Sequence, residues 1–168
     1  VVHVLREVQY HSHVAALTGK ARSRAAREQR REMSPACCDR GPNVVIIAEH
    51  KRADPNVTSD GITLFTATVR RPPPDTLDQR LNCHSKLHEV IALIQANNAG
   101  ADEALMLDPT GAVATCNATN FFVVRRGELW TSTGHYNLHG ITRAVVIEQA
   151  RAAGIPTHEA PYSLTDVY

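Results

Sequence analysis

Residues 140–143, Gly-Ile-Thr-Arg, place a glycine and a hydroxyl at the mouth of an apolar helical run. That combination suits an anion. The first amides of a helix lack acceptors inside it, the dipole is positive at that end, and a threonine hydroxyl adds a donor. Phosphate is the usual guest of such a turn. The same residues also suit an ordinary helix start in which Thr142 serves as a cap. His84 and His88 stand four apart, a helical spacing that can hold a metal when further ligands converge. Glu89 does not complete an HExxH pattern with them, and His135 and His139 lie in the run before Gly140. All four histidines read as surface or supporting polar groups, so no metal site is expected. Cys83 abuts His84, but adjacent side chains rarely face each other, which argues against a thiolate–imidazole pair. The sequence holds no GxSxG, Walker loop or dinucleotide-binding glycine fingerprint.

The chain of 168 residues is 43% hydrophobic and 21% charged, with a formal net charge of +1. It is long enough for one domain, or one domain and part of another. No global field favours nucleic acid or a membrane surface. No run approaches the length of a membrane span, and the first residues lack the basic-then-apolar order of a signal peptide. Cys37, Cys38, Cys83 and Cys116 form no CxxC, and reduced thiols in a cytoplasm are expected.

The elements that must position Gly140–Thr142 follow from hydrophobic period and punctuation. Residues 1–14 suit a short helix, and the basic, alanine-rich run 19–32 an exposed or loose segment rather than a polyanion-binding arm. Val44–Ala48 reads as a buried strand and Gly61–Val69 as a second, alternating one. Residues 70–75, with three prolines, are expected to be irregular. A helix is expected over about 85–98, with Leu87, Val90, Ile91 and Ile94 on one face and Gly100 as its stop. Four short apolar runs between Gly100 and Arg143, separated by Gly, Pro and Asn, predict strands joined by tight turns. A second helix should start near Ile141, carry Val145, Val146, Ile147 and Ala150, and end at Gly154. A short strand at 156–160 and a turn at 163–168 complete the expectation.

The Gly-Ala-Asp-Glu-Ala-Leu block at 100–105, the Asp108-x-x-Gly111 turn, Asn120-Phe-Phe, the Gly127 hairpin and Gly140-Ile-Thr-Arg occur in an order and spacing that resemble the class IV aminotransferases. This pyridoxal-phosphate (PLP) family includes branched-chain and D-amino-acid aminotransferases and aminodeoxychorismate lyase. The likeness covers roughly residues 42–168. It implies an α/β fold, with α+β as the alternative: part of a mixed-strand pseudo-barrel with two main helices. Residues 1–41 would be a degenerate or loosely ordered N-terminal remnant. Residues 42–74 would supply strands and a Pro-rich connector, and 75–168 the main PLP-binding domain, with the family's two ends missing.

The resemblance also implies site residues. Gly140, Ile141 and Thr142 would cradle the PLP phosphate, facing a concavity lined by Thr115 and Asn117. The Schiff-base lysine position falls on Asn82, which cannot form an imine. Lys86, one helical turn along, is the nearest lysine and would reach the site only if the turn before its helix is shifted. The position of the glutamate that faces the pyridine nitrogen reads Thr115. A hydroxyl can hydrogen-bond that nitrogen without stabilising its protonated form as a carboxylate does. The implied activity is amino transfer between an amino acid and a 2-oxo acid, branched-chain-like, in a cytoplasmic homodimer. The alternative is an inactive, truncated relative serving as a structural or interaction module. Weak, non-covalent binding of phosphate or PLP is the expected outcome.

Overall fold

A computed structural model describes residues 60–83 and 85–168. The elements expected at 1–14, 19–32 and 44–48, and the boundary near residue 41, lie outside the described residues. Strand β1 (Leu64–Thr66) is followed by the single-turn helix α1 (Pro74–Leu77) and by α2 (Leu87–Asn98). Next come β2 (Glu103–Leu107), β3 (Val113–Cys116), β4 (Val123–Arg125) and β5 (Glu128–Thr131). Helix α3 (Ile141–Ala152), β6 (Thr157–Glu159) and a terminal turn of helix, α4 (Leu164–Val167), close the chain. Two sheets of three strands result, ordered β1-β2-β3 and β4-β5-β6. In the first, β1 runs parallel to β2 with α2 in the crossover, and β2 is antiparallel to β3. In the second, β4 and β5 form a hairpin, and β6 returns parallel to β5 after α3. The α/β expectation and its two main helices therefore agree with the architecture, and 103–132 is strand and turn.

Local chemistry explains the boundaries. The β4–β5 link is two residues, Arg126 and Gly127, with φ of 53° and 81°. Positive φ at both central positions defines the type I′ turn, whose twist matches antiparallel strands. Both long helices stop at a glycine at φ 74° or 72°. After α2, Gly100 N–H donates to Asn97 O and Ala101 N–H to Ala96 O, a Schellman closure. Strand β1 is shorter than the run 61–69. Its continuation at Thr68 is diverted, because the Thr68 N–H donates to the Gln95 side chain of α2 at 2.9 Å. The proline run is also less irregular than expected. Pro74 opens α1 as its first residue, where a missing N–H costs nothing.

Helix α2 corrects the expected apolar face. Leu87, Val90, Ile91 and Ile94 are exposed, and the side that packs on β1 and β2 is Ala92 and Ala96. These meet Ala67, Ala101, Ala104 and Met106. Small side chains let the helix approach the sheet closely, so contact is set by backbone proximity rather than by large residues. On the far side of β2 and β3, Leu105, Leu107, Cys116, Phe121, Val123 and Tyr162 form the main core. Helix α3 buries Ile147 and Ala150 against Phe122 and Leu129, while Val145 stays exposed.

Candidate cofactor site

The N-terminal end of α2 borders a small cleft of about 20 Å³ whose lining includes Gln79, Asn82, Lys86, His88, Glu89 and Leu138. Lys86 is the N-cap residue, at the helix start rather than on its outer side, and its side chain is about half exposed. Its Nζ stands 3.6 Å from Glu89 Oε2. The other oxygen of Glu89 accepts from Arg71 Nη1 at 2.6 Å. Arg71 is buried, and it also donates to Gln79 Oε1 (3.0 Å) and to the carbonyl of Cys116 (2.7 Å). His88 Nε2 lies 2.9 Å from Gln79 Oε1. Burial, then Arg71, pushes the His88 pKa down, so the neutral ring is favoured. One buried guanidinium thus ties the end of β3 to both walls of the cleft.

Thr115 and Asn117 are buried, and their side chains are engaged inside the sheet. The Thr115 hydroxyl donates to Thr119 O at 2.8 Å. Asn117 Oδ1 accepts from the Ala104 N–H at 2.8 Å, extending the β2–β3 ladder through a side chain. Their polar atoms are thus engaged by the sheet and by the 117–119 turn. An asparagine at a strand end can substitute for backbone pairing, and here it does. Beside them, Thr119 Oγ1 donates to buried Glu103 at 2.5 Å. Burial, aided by Glu103, pushes the Cys116 thiol up to about 12, which makes it inert as a nucleophile.

The third part is the start of α3. Gly140 is its N-cap, with φ of −70° and ψ of 153°. The helical ladder begins with Ala144 N–H on Gly140 O at 3.2 Å, so the amides of 141–143 precede it. A Cβ built on Gly140 would sit 4.0 Å from the Asn120 amide nitrogen, so Asn120 flanks this turn. The preceding loop, 132–139, is pinned from two sides. Asn137 Nδ2 donates to Ala114 O (3.1 Å) and to Ser132 Oγ (2.5 Å). Arg143 Nη2 donates to Ser132 O (2.7 Å) and to Glu159 Oε2 (2.9 Å). His139 Nε2 lies 3.1 Å from Gly134 O, and Gly134, at φ 85°, leaves room for that ring.

The sequence-derived residues therefore fall into groups. Asn82 and Lys86 share the α2 cleft, and Leu138, two residues before Gly140, forms part of its wall. Gly140, Ile141 and Thr142 form the first turn of α3, while Thr115 and Asn117 lie within the sheet layer. His84 is outside the described residues, and no metal-binding group of His, Cys, Asp or Glu occurs among the described ones. Sequence reasoning missed Arg71, Gln79, Asn137 and Glu159. A visible signal for Arg71 was a charge closing an alternating apolar run. The others carry little local signal, since apart from the Gln79 Nε2 bond to Leu77 O their side-chain partners are 5 to 23 positions away.

The start of α3, held against a mixed sheet by a doubly anchored loop, is set in an α/β architecture. The profile of the family described as amino-transferase class IV matches residues 6–168, and the chain belongs to that family. It is 39% identical over 137 residues to branched-chain-amino-acid aminotransferase-like protein 2 of Arabidopsis thaliana, covering 81% of this chain and 24% of that protein. To a putative branched-chain-amino-acid aminotransferase of Methanocaldococcus jannaschii it is 43% identical over 115 residues, 68% of this chain and 40% of that protein. The chain thus spans between about a quarter and two fifths of the length of these relatives. The crystal structure of branched-chain aminotransferase from Thermoproteus uzoniensis with norvaline superposes with a TM-score of 0.65 at 29% identity, over 74% of this chain and 41% of that one. The PLP form of the Thermobaculum terrenum branched-chain amino acid aminotransferase gives 0.62 at 29% identity, over 64% and 36%.

Proposed function

We propose that this chain belongs to a PLP-dependent aminotransferase that moves an amino group between an amino acid and a 2-oxo acid, with branched-chain amino acids as the substrate class. The observation that carries the reading is the Gly140–Thr142 turn, presented at the start of α3 beside Asn120 and fixed by an anchored loop. The start of α3 fits the phosphate arm of PLP in dipole sense, the Gly140 N–H itself being given to Leu138 O at 2.9 Å. Thr115 does not fit the ring nitrogen as a donor, because its hydroxyl proton is engaged by Thr119 O. Asn82 does not fit covalent attachment, because an amide cannot condense with an aldehyde. Lys86, which lines the same cleft and is the one lysine among the described residues, is the side chain assigned that role and the movement of the α-proton. When bound, PLP supplies the electron sink for amino transfer. Cys83 and Cys116 are unpaired thiols, in keeping with a reducing cytoplasm. The exposed apolar side of α2 is in keeping with a homodimer.

A second reading is favoured by Asn82 and Thr115 together: a relative that holds PLP without turnover and serves as an interaction module. Borohydride reduction in the presence of PLP separates the two. The first reading expects a reduced PLP adduct on the peptide carrying Lys86, absent in Lys86→Ala. PLP binding that borohydride never traps would refute the enzyme reading and leave the second.

A further inference from the structure

Arg143 follows the anion turn directly, yet its side chain leads away from it. From the first turn of α3 it reaches the carbonyl of Ser132, where β5 ends and the 132–139 loop begins. The same Nη2 donates to Glu159 at the end of β6. Glu159 is in turn held from the solvent side by Arg151 Nη2 at 2.9 Å. Burial raises the Glu159 pKa, but the bonds from Arg143 and Arg151 outweigh it and leave the carboxyl below its ordinary value. The loop therefore has a fixed start at Ser132, a fixed middle at Asn137, and an end at Gly140 whose direction depends on both. Ser132 joins the two anchors, since its carbonyl takes Arg143 and its hydroxyl takes Asn137. The 8%-exposed guanidinium is costly to bury, and its reach across 11 and 16 positions of sequence is more than helix capping needs.

We propose that Arg143, oriented by Glu159, is a positioning residue for the anion turn: it fixes the Ser132 carbonyl and thereby the direction in which the first amides of α3, after the Gly140 N–H that Leu138 O takes, point. The inference rests on the reading of Gly140–Thr142 as a phosphate cradle, and it adds how the cradle is held.

Simple attraction and positioning make opposite claims about Glu159. If local charge alone mattered, removing the carboxylate in Glu159→Gln would tighten anion binding. If Glu159 acts by orienting Arg143, the same substitution loosens it. The test uses the full chain with inorganic phosphate and with PLP, read by phosphorus NMR and by amide proton–nitrogen spectra. Arg143→Met and Glu159→Gln should both weaken phosphate binding, the first by about tenfold or more, as expected for loss of a charge-assisted anchor. Both should move the amide resonances of Ser132, Gly140 and Thr142. Arg143→Lys keeps the charge without the planar fork and should recover only part of the affinity. Arg151→Met, which touches Glu159 from the exposed side, should stay within about twofold.

Tighter phosphate binding in Glu159→Gln, or unmoved 140–142 amides in a folded Arg143→Met, overturns the proposal. Should Arg143→Met not fold, Glu159→Gln and Arg143→Lys carry the decision. If the unmodified protein binds no phosphate, the cradle reading fails by itself. The amide shifts still decide whether Arg143 sets the turn.

Discussion

Replacing Arg71 with Met isolates the buried cation beneath the α2 cleft. Three hydrogen bonds are lost, to Glu89 (2.6 Å), Gln79 (3.0 Å) and Cys116 O (2.7 Å). Removing one partner of a buried ion pair costs about 3–5 kcal/mol, because the other charge is left uncompensated. Two features move the expectation to the lower end. Glu89 keeps Lys86 at 3.6 Å and is itself 15% exposed. The Arg71 cation is also strained by burial, which lowers its pKa despite Glu89, and that strain disappears with the charge. The expected loss is therefore about 3 kcal/mol. Urea unfolding at neutral pH measures it, with an unchanged m-value showing that the states compared are the same. Replacing both partners, Arg71→Met with Glu89→Leu, should recover much of the loss. A single-variant loss under about 1 kcal/mol would mean that desolvation cancels the network, and the claim that Arg71 holds the cleft walls would fail.

Thr142→Val should weaken PLP binding by roughly 1.5–3 kcal/mol, measured by fluorescence titration; unchanged affinity would remove the hydroxyl from the cradle. His88 sets a pH dependence. Its folded pKa lies below the ordinary 6.5, so its contribution is complete above that value and is lost as pH falls through the depressed folded pKa. Thermal melts from pH 7 to pH 5 should show a fall that His88→Asn flattens, and parallel curves would contradict it. Arg126→Asn, at φ 53°, should stabilise by about 0.5 kcal/mol, since Asn-Gly suits a type I′ turn better than Arg-Gly. A loss on denaturant unfolding would contradict that turn assignment.

The hairpin at Gly127, the stops at Gly100 and Gly154, and the start of α3 were legible because each depends on residues within a few positions. The surroundings of Thr115 and Asn117 were not: whether a short polar side chain opens onto a cleft or bonds a neighbouring strand depends on a partner 13 positions away for Asn117. The sequence places Lys86 one helical turn beyond Asn82 without showing where its helix begins. Its place at the N-cap follows from where the α2 ladder starts, with Val90 N–H on Lys86 O at 3.0 Å. Arg71 shows the limit most clearly. Its burial makes sense only once Glu89 and the Cys116 carbonyl, 18 and 45 residues on, are brought together.

The alanine seam between α2 and the sheet has a consequence for how this chain tolerates change. Ala92, Ala96 and Ala104 have no exposed surface, so any enlargement there must push helix from strand. The outward Leu87, Val90 and Ile94 can shrink or become polar at little cost to the fold by itself. A substitution scan of α2 would therefore rank its positions against their hydrophobicity, with the smallest residues the least replaceable. Among divergent copies, size rather than greasiness would be the trait held constant along this helix.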